Sequence, residues 1–482
     1  MAENDEKKAE PKAEPPAERS ETTEHQVEIG GRKIAYTATA ATTNLTGDDG
    51  TPRASIFTVS YTATGKGDPA KRPITFAFNG GPGSSSIWLH LGVLGPKRIE
   101  LGDLTTPQAP PYRLSDNAES ILDLTDLVFI DPVSTGWSRP VEKDKAKEFH
   151  GLKEDTEAVG DLIRLLTTRS GRWASPKFLA GESYGTTRAA SLSGYLQERH
   201  GMYLNGIVLL SAILLFGTAR PARGNDLPYL LYLPSYAATA WYHGRLDKRF
   251  KSVAALLAEV EAFALGDYAT VLLQGSRAAT RDRESVRARL SGFTGLSEEY
   301  LDATDLRVAP QRFFKELLRD QRRTVGRLDS RFLGIDPDAA GETDTYDPAY
   351  GMIQGAYTGA LNAYLREDLK FDSDLLYEAL RGEAVRPWKW GEAGENQSVD
   401  VASTLAQAMS VNRSLRVFLG SGIYDLATPY LAAEWTLDQM RLDPEVAGNV
   451  VMKRYEAGHM MYVHEPSIRR LKKDLQAFYM GT

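Results

Sequence analysis

The chain has no cysteine among its 482 residues. That excludes disulfides, thiolate catalysis and cysteine-held zinc, but not export, because an exported protein can also lack cysteine. It has no apolar run of the roughly 18–20 residues a membrane-crossing helix needs, so no membrane span is expected. It has no internal repeat. It has little excess of either charge, with 57 Lys and Arg against 64 Asp and Glu and a net charge of −7. No basic field therefore exists to hold nucleic acid. The first 25 residues lack Ile, Leu, Val and aromatics altogether and carry 12 charged side chains and three prolines. Such a segment buries too little apolar surface to offset its ordering entropy, so residues 1–25 are expected to be a disordered charged tail. The tail has no apolar stretch of the signal-peptide kind. It is compatible with an end exposed after a signal was removed, which leaves periplasmic, secreted and cytoplasmic locations open. The whole chain, 42% hydrophobic and 25% charged, has the composition of a soluble globular protein long enough for a large core with an insertion.

After His25 the texture changes. Val27, Ile29, Ile34 and Tyr36 alternate with polar residues around Gly30-Gly31, which reads as a hairpin. The segment 55–61 reads as a strand. The segment 73–78 reads as a short buried strand running into Asn79-Gly80-Gly81-Pro82-Gly83-Ser84-Ser85-Ser86. Glycines at the end of a buried strand let backbone amides approach a ligand closely, and the absence of a following Gly-Lys-Ser/Thr excludes a Walker loop. Further buried strands are expected at 127–130, 176–180, 207–210, 415–419 and 450–455, with helical periodicity over 152–168 and 466–479. Strands alternating with helices predict a mainly parallel central sheet flanked by helices. Between about Phe216 and Asn396 the alternation stops, and the text turns helical and rich in Ala, Leu, Arg and Glu. The expected organisation is core at 26–215, a mostly helical cap insertion at 216–396, and core again at 397–482. Arg281, Arg283, Arg287 and Arg289 read as solvated helix faces. The aromatic-rich run 228–236 either lines an apolar subsite or packs the cap on the core.

Gly181-Glu182-Ser183-Tyr184-Gly185 stands between an expected strand and an expected helix. G-x-S-x-G in that setting is the nucleophile elbow of the α/β-hydrolase fold, which lifts the serine clear of the chain on a strained turn. A serine hydroxyl needs a base, usually a histidine oriented by a carboxylate, and in this fold the chain order is Ser, Asp or Glu, His. Of the histidines after Ser183, only His459 sits on a glycine turn just past a strand; His200 and His243 have no strand end behind them, and His464 reads as a start-of-helix residue. Asp425 ends the preceding strand on a glycine turn, while Asp438 and Asp443 fall in or after helical text. The expected triad is Ser183, Asp425 and His459. The expected oxyanion hole is the amide of Tyr184, after the nucleophile, with that of Gly81 in the glycine loop.

Asn79-Gly80-Gly81-Pro82-Gly83-Ser84-Ser85, Asp131-Pro132-Val133 with Gly136, Gly181-Glu182-Ser183-Tyr184-Gly185 and Gly458-His459-Met460 together resemble the serine carboxypeptidase family. The resemblance implies that Asn79 and Glu182 bind the substrate's terminal carboxylate. Ser84 stands where the family's eukaryotic members have a cysteine, and their disulfides cannot form here, which points towards a bacterial relative. The resemblance further implies a serine-type carboxypeptidase acting on peptides with a free C-terminus, with no metal or organic cofactor and the oligomeric state open. The rivals are an esterase or acyltransferase on the same triad, and a catalytically silent hydrolase fold kept for binding. At Glu182 a bound substrate would bring two carboxyl groups together, which predicts a shared proton and a raised pKa.

Overall fold

The computed structural model describes residues 16–65, 67–102, 108–391 and 398–481. Two long strands, β1 (Ser20–Ile29) and β2 (Arg32–Thr46), pair antiparallel from Ser20↔Ala41 to Ile29↔Arg32. The turn between them sits on Gly30 and Gly31 at φ 57° and 73°, a conformation that favours glycine. This corrects the expected 1–25 tail: Ser20–His25 is strand, and residues 1–15 lie outside the described residues. The strand extends there without apolar residues because its ladder bonds to β2 do the ordering. Polar contacts add to them, among them the hydroxyls of Thr22 and Thr39 at 2.9 Å, and Glu18 accepting from the Asn44 amide at 2.8 Å.

β2 pairs with β3 (Pro52–Ala63), which pairs antiparallel with β5 (Asp126–Ile130). From β5 the sheet is parallel. It continues through β4 (Ile74–Phe78), β6 (Lys177–Glu182), β7 (Gly206–Leu210), β8 (Arg416–Gly422) and β9 (Val450–Tyr455). Every residue of β4, β5, β6 and β7 is buried. That is why these strands read as near-continuous apolar runs: parallel strands are covered on both faces. The helices Leu152–Arg169, Tyr184–His200 and Ala402–Val411 cover one face. Glu465–Met480 packs on the other. The register sets Phe78 beside Gly181, and Leu210 beside both Glu182 and Gly420. The C-terminal ends of the parallel strands are thus level, and the loops after them share one edge of the sheet.

The helices Leu227–Tyr242, Val253–Phe263, Thr280–Thr294 and Pro310–Glu316 share a core of their own, reaching from Tyr232 to Val325. The helix Pro348–Glu367, expected within the cap, instead packs on the sheet, where Ile353, Tyr357 and Tyr364 join Tyr61, Trp88 and Leu91. Its apolar residues recur every three or four positions, and that stripe matches the sheet's open face rather than another cap helix. The expected boundary at 396 lies outside the described residues. Among the described residues no helix is long and apolar enough to cross a membrane.

Candidate active site

Ser183 follows β6 directly, with φ 59° and ψ −130°, a strained region for a residue with a side chain. Three bonds hold the turn. The Ser183 amide donates to Leu210 O at 3.0 Å, and Ser183 O accepts from the Thr186 amide at 2.8 Å and the Thr186 hydroxyl at 2.6 Å. The flanking glycines are required by space: a Cβ on Gly181 would lie 2.2 Å from Gly185 O, and one on Gly185 would lie 2.7 Å from Phe78 O.

The glycine loop after β4 runs against this turn, so closely that a Cβ on Gly80 would lie 2.3 Å from the Tyr184 amide nitrogen. Gly81, at φ 99°, and Tyr184 border the same cavity as Ser183. The loop is tied down by Asp131, whose Oδ1 accepts from the Ser86 amide and hydroxyl, both at 2.8 Å. Burial pushes the Asp131 carboxyl up to about 6, although the Ser86 bonds pull the other way. A Cβ on Gly136 would lie 1.7 Å from Asp131 Oδ2. The segment 131–136 therefore buttresses the loop from behind.

Asp425 is buried on the loop after β8. Its Oδ1 accepts from the amides of Ala427 at 2.7 Å and Thr428 at 3.0 Å, and its Oδ2 accepts from the Thr428 hydroxyl at 2.8 Å. The same Oδ2 lies 2.7 Å from His459 Nδ1. A carboxylate partner puts the imidazole proton on Nδ1 and leaves the lone pair on Nε2. The His459 backbone is held by its amide donating to Leu328 O and its carbonyl accepting from the Ser211 hydroxyl, both at 2.6 Å. Burial alone would lower the His459 pKa; the Asp425 carboxylate, and then Glu182, outweigh it and hold the imidazole above its ordinary value.

Glu182 ends β6, buried. Its Oε1 accepts from Asn79 Nδ2 at 2.9 Å, and Asn79 Oδ1 accepts in turn from the Leu89 amide at 3.0 Å. Glu182 Oε2 is buried without a hydrogen-bond partner, and so is the Tyr462 hydroxyl, a neighbour that favours the charged form of Glu182. Burial pushes the Glu182 carboxyl up to about 7; His459, Tyr462 and Asn79 moderate that rise, and Asp425 adds to it. The expected elevation is thus present before any substrate carboxylate arrives, and its cause is desolvation.

Ser183 and Gly81 border two cavities. One, of about 880 Å³, also holds Asn79, Glu182 and His459 in its wall. The other, of about 450 Å³, is bordered by Tyr184 and Thr428 and otherwise largely by apolar side chains, Tyr232 among them. Tyr232 comes from the aromatic-rich run, so that run supplies both a cavity wall and cap packing, since Leu231, Leu233 and Tyr236 are buried in the cap. All seven residues singled out from the sequence thus gather at one edge of the sheet. The other candidates do not. His200 pairs with Asp161, His243 bonds to Ser330 O, His464 bonds to Ser467, and Asp443 caps a short helix. Sequence reading missed Arg220, Arg327, Trp388 and Trp390, which reach the cavities from loops with no local signal. It also missed Thr428 and Tyr462, whose positions three residues after Asp425 and His459 were a faint one. Among the described residues no group of three or more His, Asp or Glu is placed to hold a metal ion. The arrangement can generate a serine nucleophile, hold an oxyanion beside it, and present a neutral carboxyl with an amide donor on one side.

Residues 50–226 match the family described as serine carboxypeptidase. The fold is similar to that of Kex1(delta)p, a prohormone-processing carboxypeptidase from Saccharomyces cerevisiae, at 16% identity over 92% of this chain and 91% of that one, with a TM-score of 0.54. A proline iminopeptidase from Mycobacterium smegmatis, 13% identical over 95% of this chain and 99% of its own, is similar at a TM-score of 0.34. No curated protein matches the chain. The shared architecture is that of the α/β-hydrolase fold.

Proposed function

We propose that this chain, whose residues 50–226 match the serine carboxypeptidase family, releases the C-terminal residue of peptides through an acyl-enzyme on Ser183. His459 Nε2 takes the proton as Ser183 Oγ attacks the last peptide carbonyl, and the imidazolium is stabilised by Asp425. The oxyanion that forms is held by the amides of Gly81 and Tyr184. His459 then gives its proton to the leaving amine, the terminal amino acid departs, and a water activated by the same histidine hydrolyses the ester.

The observation that carries the choice of a C-terminus is the buried Asn79–Glu182 pair in the wall of the cavity shared with Ser183 and His459. A carboxyl raised to about 7 is neutral at mildly acidic pH and can donate to a substrate carboxylate; Asn79 Nδ2 has a second proton to donate. An esterase or acyltransferase has no need of a neutral acid there. The test is mass spectrometry of a mixed peptide library, with each peptide present as free acid and as amide. Loss of single residues from the C-terminus of the free acids is expected. Trimming from the other end, or equal turnover of the amides, overturns the reading in favour of another enzyme on the same triad.

A further inference from the structure

Arg220 and Arg327 stand between the two cavities and line both, but the smaller one has no carboxylate in its wall, whereas Glu182, Asp347 and Glu383 border the larger. Arg220 is fixed by ring contacts, its guanidinium carbon 4.7 Å from the Phe216 ring centroid and 5.1 Å from that of Trp390, both rings being part of that wall. Arg327 is placed by its backbone. Its amide donates to Asp347 Oδ1 at 3.0 Å and its carbonyl accepts from the Leu426 amide at 3.0 Å. Its charge acts on Tyr232 and His459 and also on the Asp347 carboxylate of the larger cavity's wall, while Arg220 acts on Tyr232; both arginines border the smaller cavity. Among the described residues neither guanidinium has an ion-pair partner. This contrasts with Arg283, Arg287 and Arg307 of the insertion, each of which is paired.

The proposed function fixes what occupies this space. If the terminal carboxylate sits at Asn79 and Glu182, in the larger cavity, the residue that becomes the acyl group lies on the other side of Ser183. We propose that Arg220 and Arg327 make the smaller cavity a site for an acidic side chain on the residue preceding the cleaved bond. The inference rests on the carboxypeptidase reading for that assignment of sides. The rest of the molecule does not attract acids, since the net charge is −7, so the preference is local to the pair. Arginine suits the task because its fork matches a carboxylate and because it can stack on aromatic rings while remaining charged.

The experiment compares N-blocked peptides ending in Glu-Leu, Gln-Leu and Arg-Leu, each as free acid and as amide, with the intact protein and with Arg220→Gln and Arg327→Gln. The expected result is a kcat/KM for Glu-Leu about 10–100-fold above its Gln isostere, as for a charge-assisted hydrogen bond. The ratio should narrow in each variant and at high salt. A ratio of one or less in the intact protein overturns the proposal. So does a variant that loses all three free acids alike and no longer distinguishes them from the amides, because the arginines would then be holding the terminal carboxylate. In parallel, Ser183 is labelled with phosphonates carrying a Glu or a Gln side chain on the acyl side. Faster labelling by the Glu reagent with no C-terminal trimming would sink the carboxypeptidase reading and keep the acidic site. Trimming without a Glu preference would do the reverse, and failure of both reagents to label would overturn both.

Discussion

The loop edge of the sheet and the helical insertion are held by different kinds of contact. At the edge, backbone meets backbone: an added Cβ would lie 2.2 Å from another chain atom at Gly181, 2.0 Å from Gly458 O at Gly422, and 2.4 Å from Leu328 O at Gly458. The Asp425 and His459 turns are thus wedged against each other and the Ser183 turn closes tightly on itself, with no slack for a methyl group at these glycines. In the insertion, an added Cβ on Gly266 or Gly292 would meet nothing within 4 Å. There the surface is tied by side-chain ion pairs such as Arg283–Asp305 at 2.6 Å, Arg287–Glu298 at 3.0 Å and Arg289–Asp267 at 2.6 Å. These are partly exposed pairs of the kind that contribute little to stability. The difference separates two duties. The tight edge carries Ser183, Asp425 and His459, and the insertion supplies side chains such as Tyr232 and Arg327 to the cavity walls.

The comparison is sharpest at Ser183. Ser183→Ala keeps the Cβ and therefore the backbone demands of the turn, so stability should hold while kcat/KM falls by about four to six powers of ten. Peptide turnover together with thermal unfolding checks both halves. Near-normal turnover would remove Ser183 from the chemistry. Next in size is Gly181→Ala, which should cost roughly 3 kcal/mol or more and take activity with it, because its methyl has only backbone to displace. Denaturant unfolding measures this; a variant as stable and active as the parent would show that the edge has slack after all.

Glu182→Gln acts through pH. The Glu182 carboxyl, raised to about 7, is protonated below that pH and charged above it. For a free C-terminus KM should therefore be low on the acid side and rise by about tenfold per pH unit once pH passes that value. In the glutamine variant the rise should flatten, since the amide donates at every pH. His459 sets the acid limb, being active only when neutral, and Glu182 is one of the carboxylates holding its pKa up. Below about pH 7 Glu182 is itself neutral, however, so the variant should leave the acid limb of kcat/KM in place. Identical pH profiles for the two enzymes would discard the clamp. At the small end lies Gly292→Ala in the insertion helix Thr280–Thr294, with open space around the site and no positive φ. It should be stabilising by about 0.5–1 kcal/mol, the helix preference for alanine over glycine. A clear loss in unfolding free energy would mean that the insertion is packed as tightly as the edge.

The strands of the parallel sheet were legible in the sequence because burial on both faces writes a short apolar run. The turns after them were legible because only small residues pass where two backbones touch. Both are local constraints, and they suffice for the fold class and for locating the seven site candidates at or just past strand ends. The strand Ser20–His25 was not legible, because a strand ordered by its ladder carries no apolar signature. The helix Pro348–Glu367 was legible as a helix but not as part of the sheet's cover, since periodicity names the buried face of a helix and not its partner. The sequence by itself determined which residue types stand at strand ends and in what order. The tertiary structure alone decided that Glu182 lies dry enough to hold its proton to about pH 7, and that Arg220 and Arg327, 107 residues apart in number, line the cavities beside Ser183. Desolvation and the meeting of distant loops depend on the enclosure of space, and enclosure exists only once the chain has folded.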